Sequence, residues 1–187
     1  MTLRSVRMFA VGIGIVALVA CRAETDRDHY AVGDTGTATF INNSGLVAYL
    51  AGCGAYSFEK LDDERWIDRG PAQVCIWEGF AQPVEPGTSR EEPLVPWEHG
   101  TWRLRYSTGG GCSPSEPLNE ESCGFIGAIH SRPFSVARVC DPTECGPQLG
   151  MPNWLCPDGE SIGGPTGRCL GDPDTDLCGW EIANCAE

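Results

Sequence analysis

Trp102-Arg103-Leu104-Arg105-Tyr106 places a large apolar side chain at every second position, with an arginine between each pair. A β-strand sends successive side chains to opposite faces, so Trp102, Leu104 and Tyr106 are expected to face a core and both arginines the other side. Outward from this run, short apolar stretches recur with turn signals between them. Gly36 to Ile41 alternates, Asn42-Asn43-Ser44-Gly45 is a turn cluster, and Leu46 to Leu50 follows; the pair predicts a hairpin or a sandwich edge. Tyr56 to Lys60 and Arg65-Trp66-Ile67 flank Asp62-Asp63-Glu64, which reads as a hairpin tip. Val74-Cys75-Ile76-Trp77 predicts a strand running toward Val84, ahead of the turn at Glu85-Pro86-Gly87. Phe125 to Val136 supplies a closing strand, bulged or at an edge because of Pro133. Nothing here shows capped helical periodicity. About seven short strands between residues 30 and 138 predict a mainly β domain, an antiparallel two-sheet sandwich.

The residues Thr39-Phe40-Ile41-Asn42-Asn43-Ser44, Cys53, Tyr56 with Phe58, Trp66, Cys75, Pro86-Gly87, Gly100 to Tyr106 and Pro133 to Val136 resemble bacterial immunoglobulin-like domains, including those of the intracellular-proteinase-inhibitor type. The resemblance spans somewhat over half the chain. It implies an immunoglobulin-like sandwich and no particular activity, because such sandwiches host unrelated functions. The chain departs from the pattern by inserting Ser107 to Cys123, a Gly- and Ser-rich loop with Cys112 and Cys123 near its ends. We pair Cys112 with Cys123, closing that loop locally, and Cys53 with Cys75 across the sandwich, one of three connectivities open to four cysteines.

The chain of 187 residues carries 13 basic and 26 acidic side chains, a formal charge of −13. So acidic a surface repels phosphate backbones and anionic headgroups, which argues against nucleic acid and against electrostatic membrane binding. The N-terminus differs in texture. Arg4 and Arg7 precede an apolar run from Met8 to Ala20 that stops at Cys21 and is followed by the polar stretch Cys21 to Asp28. The run is shorter than the roughly 20 residues a membrane span needs, and it predicts a secretory leader over residues 1–20. Leu18-Val19-Ala20-Cys21 resembles the lipobox of bacterial lipoproteins. By that resemblance Cys21 carries a thioether-linked diacylglyceryl group and is the mature first residue, anchoring the protein to a membrane. In the family pattern an Asp after the cysteine retains the product at the inner membrane; Arg22 here leans toward the outer membrane.

Cysteine number agrees from a separate direction. The 11 cysteines are odd in number. Assigning Cys21 to lipid leaves Cys53, Cys75, Cys112, Cys123, Cys140, Cys145, Cys156, Cys169, Cys178 and Cys185, which can pair completely in an oxidising compartment. Residues 21–29, charged and without periodicity, are expected to be a lipidated tether. Residues 139–187 hold six cysteines among many Gly and Pro, so this module must be held by crosslinks rather than by a core.

Cys145-Gly146-Pro147, Gly150 to Trp154, Cys156 to Gly159, Gly163 to Gly167 and Cys178 to Ile182 resemble the cysteine-rich tails on predicted lipoproteins of high-GC Gram-negative bacteria. They are also loosely similar to small disulfide-rich protease inhibitors, with Gly150 to Trp154 or Pro157 to Gly159 as the loop to present. Six cysteines allow fifteen connectivities and fix no reactive loop. Trp154 and Trp180 stand in this core-poor module and are candidates for contact with a protein or glycan of the envelope or extracellular space; packing over a disulfide is the alternative for each. Trp66, Trp77, Trp97 and Trp102 are assigned to the sandwich.

Catalytic and metal constellations are weak. Gly159-Glu160-Ser161-Ile162-Gly163 matches a hydrolase pattern on paper but lacks the strand before it and the helix after it. His29, His99 and His130 have no partner at ligand spacing, and Cys140-x4-Cys145 lacks a second close pair, so no metal, cofactor or catalytic residue is assigned. Asp172, Asp174 and Asp176 alternate as in calcium loops, but Leu177 and Ala183 occupy the positions of the loop glycine and bidentate carboxylate; a solvated acidic turn is the reading. Asn42-Asn43-Ser44 fits the glycosylation pattern, idle in a bacterial exporter. The sequence thus predicts a non-catalytic, lipid-anchored envelope protein, with protease inhibition by the module as the alternative.

Overall fold

The computed structural model of the protein describes residues 21–77, 79–148, 150, 152–172 and 175–185. The leader expected over 1–20 lies outside them. Among the described residues there is no helix. The strands are β1 (Cys21–Thr25), β2 (His29–Ala31), β3 (Gly36–Asn42), β4 (Ala48–Leu50), β5 (Tyr56–Asp62), β6 (Arg65–Pro71), β7 (Gln82–Val84), β8 (Ser89–Leu94), β9 (Gly100–Gly110), β10 (Phe125–His130), β11 (Phe134–Ala137), β12 (Trp154–Leu155), β13 (Ile162–Gly171) and β14 (Cys178–Ala183). They fall into two compact units. Among the described residues, one comprises residues 21–28, Thr35–Val95 and Thr101–Phe134; the other comprises His29–Asp34, Pro96–Gly100 and residues from Ser135 onward.

The first unit is an antiparallel β-sandwich. One sheet runs β1-β3-β8. The other is organised on β9, whose later half pairs with β4 and β10 and whose earlier half pairs with β5; β7 and β6 extend it beyond β4 and β5. Along β9, Trp102, Leu104, Tyr106 and Thr108 are buried and the residues between them are more exposed, as the alternation predicts. Phe40 on β3 meets Tyr106 on β9 with ring centroids 5.5 Å apart, and the Tyr56 hydroxyl donates to the Pro93 carbonyl at 2.6 Å. These contacts join the inner faces of the two sheets. Burying such aromatic rings contributes about 1.5–3 kcal/mol each.

Where the sequence leaves a choice between hairpin and sandwich edge, β3 and β4 lie in different sheets, and the segment Asn42–Leu46 is the corner between them. Asn42, fully buried, donates its side-chain amide to Leu46 O (2.9 Å) and Val84 O (2.8 Å) and accepts from Ser44 N (3.0 Å) and Ser44 Oγ (2.6 Å). A corner strips backbone groups of their ladder partners, and this one side chain replaces them. The Asp62–Arg65 tip is a two-residue turn with Asp63 at φ 43° and Glu64 at φ 64°, the mirror-image turn that suits the twist of a hairpin.

Several expectations change. Residues 21–25, read as part of a tether, form β1, in register with β3 from Cys21↔Asn42 to Thr25↔Ala38, with Cys21 and Ala23 turned inward. Strand pairing and two inward side chains outweigh the charged composition that suggested a tether. Val74 to Trp77 is a loop instead of a strand: the free edge of β4 is taken by β7, and Val74 and Ile76 are almost fully exposed. The expected closing strand is split by Pro133 into β10 and β11. Of the tryptophans assigned to the sandwich, Trp77 is 54% exposed in the first unit, and Trp97, 47% exposed, belongs to the second. Strands β1 and β8 of the first unit, and β2, β12, β13 and β14 of the second, have no counterpart in the sequence reading.

The second unit contains β2 and β11, paired in parallel, and the antiparallel set β12-β13-β14. Arg168 on β13 holds Asp34 with contacts of 2.8 and 3.4 Å, and Asp34 also accepts from the Ala31 N–H at 2.9 Å. Segment 29–34 is thereby tied to the cysteine-rich module.

Candidate functional site

The sulfurs join Cys53–Cys75 and Cys112–Cys123 in the sandwich, and Cys140–Cys178, Cys145–Cys169 and Cys156–Cys185 in the module. Cys21 stands outside these five bonds. Cys53–Cys75 does not cross between the sheets as expected. It links the loop after β4 to the loop after β6, strands of one sheet, where backbone close approach brings the loops together: a Cβ on Gly52 would fall 2.4 Å from Phe80 O.

Cys21 opens β1 and is 8% exposed. Its Sγ lies 3.4 Å from Asn42 Oδ1. Burial pushes the Cys21 thiol above its ordinary value, with the Ser44 hydroxyl and N–H partly opposing. A thiol so placed is a poor nucleophile in the folded chain. Beside it is a cleft of about 310 Å³ whose walls include Leu46, Val47, Gly110 and Phe125. The sequence marks Cys21 itself but not the cleft, which is assembled from residues about 60 positions apart on β4 and β9.

On the outward face of β5, β9 and β10 lies a charged cluster. Glu59, 8% exposed, receives Arg103 Nε at 2.6 Å, with Arg105 Nε at 3.9 Å and His130 Nε2 at 3.5 Å. The Arg103 guanidinium in turn sits 4.4 Å from the Trp66 ring centroid. Burial first, and then the Arg103 charge, hold His130 below its ordinary value of 6.5. The alternation of β9 places both arginines here; the sequence reading did not identify Glu59 as their partner. One carboxylate is shared by two guanidiniums, with the closest pairing to Arg103, so the chemistry is that of a fixed ion network.

In the module, Trp154 is 40% exposed and its indole lies over Gly163, where a Cβ would meet Nε1 at 2.3 Å. Trp180 donates Nε1–H to Gly146 O at 3.2 Å and stands opposite Cys169 in register. Trp154 with Leu155 and Ile162 is the more open of the two. Of the proposed inhibitory loops, Met151 is outside the described residues, and Pro157 to Gly159 form a turn in which Asp158 accepts from Glu160 N (2.9 Å), Ser161 N (2.9 Å) and Ser161 Oγ. Ser161 is thus a turn residue ahead of β13. In the acidic run, Asp174 is outside the described residues; Asp172 accepts from Thr175 N at 2.8 Å, and Asp176 binds Arg138 Nε at 2.8 Å. Cys140, Glu144 and Cys178 bring metal-type donors within 4.8 Å, but the two sulfurs are bonded to each other.

No family model and no curated protein matches the chain. Among solved structures it is similar to the sporulation control protein Spo0M of Bacillus subtilis at 12% identity, with a TM-score of 0.30 over 63% of this chain. The chain spans about half the length of that structure, 49%.

Proposed function

We propose that this is a lipid-anchored protein of the bacterial cell envelope, leaning toward the outer membrane, with a non-catalytic binding or structural role. One observation carries the reading: Cys21, at the end of the apolar run 8–20, is the cysteine left over when the other ten join in five disulfides. Lipidation exchanges the Sγ–H bond for an Sγ–C bond to a diacylglyceryl group taken from a phosphoglyceride, whose glycerol-phosphate headgroup departs with the thiol proton. Two acyl chains give stable anchoring where one is marginal. The buried position of Sγ in the folded chain requires that this step precede the docking of β1. The partner is an envelope or extracellular protein or glycan, met by exposed aromatic surface such as Trp154.

Intact mass and disulfide mapping of the membrane-extracted protein test this directly. The expected product begins at residue 21, carries a diacylglyceryl thioether and five disulfides, and shows no free thiol before reduction; Cys21→Ser leaves the protein unlipidated and off the membrane. An unmodified Cys21 in the mature product overturns the anchor.

A second reading, protease inhibition by the module, is favoured by one feature: Trp154 and Leu155 are exposed immediately before Cys156, whose bond to Cys185 fixes the segment. A rigid loop binds with little loss of conformational entropy. Stoichiometric inhibition of a protease, abolished by reduction, supports it; no inhibition across serine, cysteine and metalloproteases removes it.

A further inference from the structure

The cleft at Cys21 is lined mainly by apolar surface. Gly109, Gly110 and Gly111 contribute backbone without side chains, and the Phe125 ring lies against Gly110, where a Cβ would come within 2.2 Å of two ring atoms. Ser44 and Tyr49 are the hydroxyl-bearing wall residues, and the Ser44 Oγ is engaged with Asn42 and with Leu46 O at 2.8 Å. Because β1 is paired from Cys21 onward, the sulfur has no slack with which to lift from the sheet. A substituent on Sγ therefore leaves through the cleft. A polar one would lose water there against a mainly apolar wall, whereas an alkyl chain would not.

We infer that this cleft seats the root of the lipid on Cys21, with the glyceryl carbons and first methylenes lying along Leu46, Val47 and Phe125 before the chains enter the bilayer. The inference rests on the lipid-anchor reading above. Size agrees with a root and not a whole lipid: about 310 Å³ is at the lower end of small-molecule sites, roughly 300–1,000 Å³. Leu46, 50% exposed, then extends the apolar wall to the surface. With no tether between lipid and sheet, the sandwich sits directly on the membrane by its Leu46 end.

The test is metabolic labelling, in a lipoprotein-processing bacterium, with a fatty acid bearing a diazirine near its carboxyl end. The full-length product is extracted in detergent, photolysed and mapped by peptide mass. Crosslinks are expected on Leu46 to Tyr49 or on Phe125, and Val47→Asp should lower their yield at least fivefold with the lipid mass at Cys21 and the five disulfides unchanged. Should that variant fail to form the disulfides, Leu46→Asp at the exposed wall replaces it. Lipid present at Cys21 with crosslinks elsewhere overturns the cleft and leaves the anchor standing. No lipid at Cys21, including a retained leader, overturns both.

Discussion

The side-chain amide of Asn42 donates to the carbonyl of Val84 over 2.8 Å, binding the end of β3 to the end of β7 in the opposite sheet. The same side chain serves Leu46 and Ser44. An apolar replacement leaves buried backbone groups without partners, at about 1–3 kcal/mol for each. Asn42→Ala is therefore expected to lower stability by about 3 kcal/mol, read as a shift of the urea midpoint; a loss under about 1 kcal/mol would show that water takes over the corner.

The hairpin tip offers a change in the other direction. Glu64 has φ 64° without being glycine, a conformation that costs a side-chain-bearing residue about 1–2 kcal/mol. Glu64→Gly should stabilise the chain by about 0.5–1 kcal/mol, since glycine also gains freedom in the unfolded state. An unchanged or lowered unfolding midpoint counts against the turn geometry.

The module depends on its crosslinks. Cys145–Cys169 closes a loop of 24 residues, and the chain-entropy relation gives about 3 kcal/mol for that length. Replacing both cysteines by alanine should remove amide-exchange protection from β13 and β14, read by hydrogen exchange. Protection that survives intact would mean the module owes its order to something other than this bond.

His130 gives a pH signature. Burial and Arg103 hold its folded value below the ordinary 6.5, so the unfolded chain binds the proton more readily. Its contribution to stability is complete above pH 6.5, falls as pH drops through the depressed folded value, and is constant below it. The carboxylates held down in the module, Asp141, Glu144 and Asp158, start from 3.8 or 4.5 and act at lower pH. Unfolding midpoints of His130→Gln should lose the decline just below pH 6.5; identical pH profiles for the two proteins would place the cause elsewhere.

The sandwich was legible where period and burial coincide. Trp102 to Tyr106 alternates because its strand has one face in the core. β8, by contrast, reads Ser-Arg-Glu-Glu-Pro-Leu and is recruited by the hydrogen-bonding edge of β3, a tertiary cause with no local signature. Val74 to Trp77 misleads for the complementary reason: the residue types suit a strand, but β7 already occupies the edge of β4 that they would need. At the site, Cys21 was visible as an odd sulfur after an apolar run. Its cleft and the Glu59 partner of Arg103 were not, since both arise from strand register across distant parts of the chain.

The corner at Asn42 bears on how the protein can be manufactured. Asn42-Asn43-Ser44 is a glycan acceptor signal, and the nitrogen that would receive the sugar is the one committed to Leu46 and Val84. In a eukaryotic secretory host, an oligosaccharide added to the emerging chain would occupy that nitrogen before the two sheets close over it. Recombinant material from yeast or mammalian medium would then be a misassembled glycoform, and a bacterial export route is the one that leaves the corner intact.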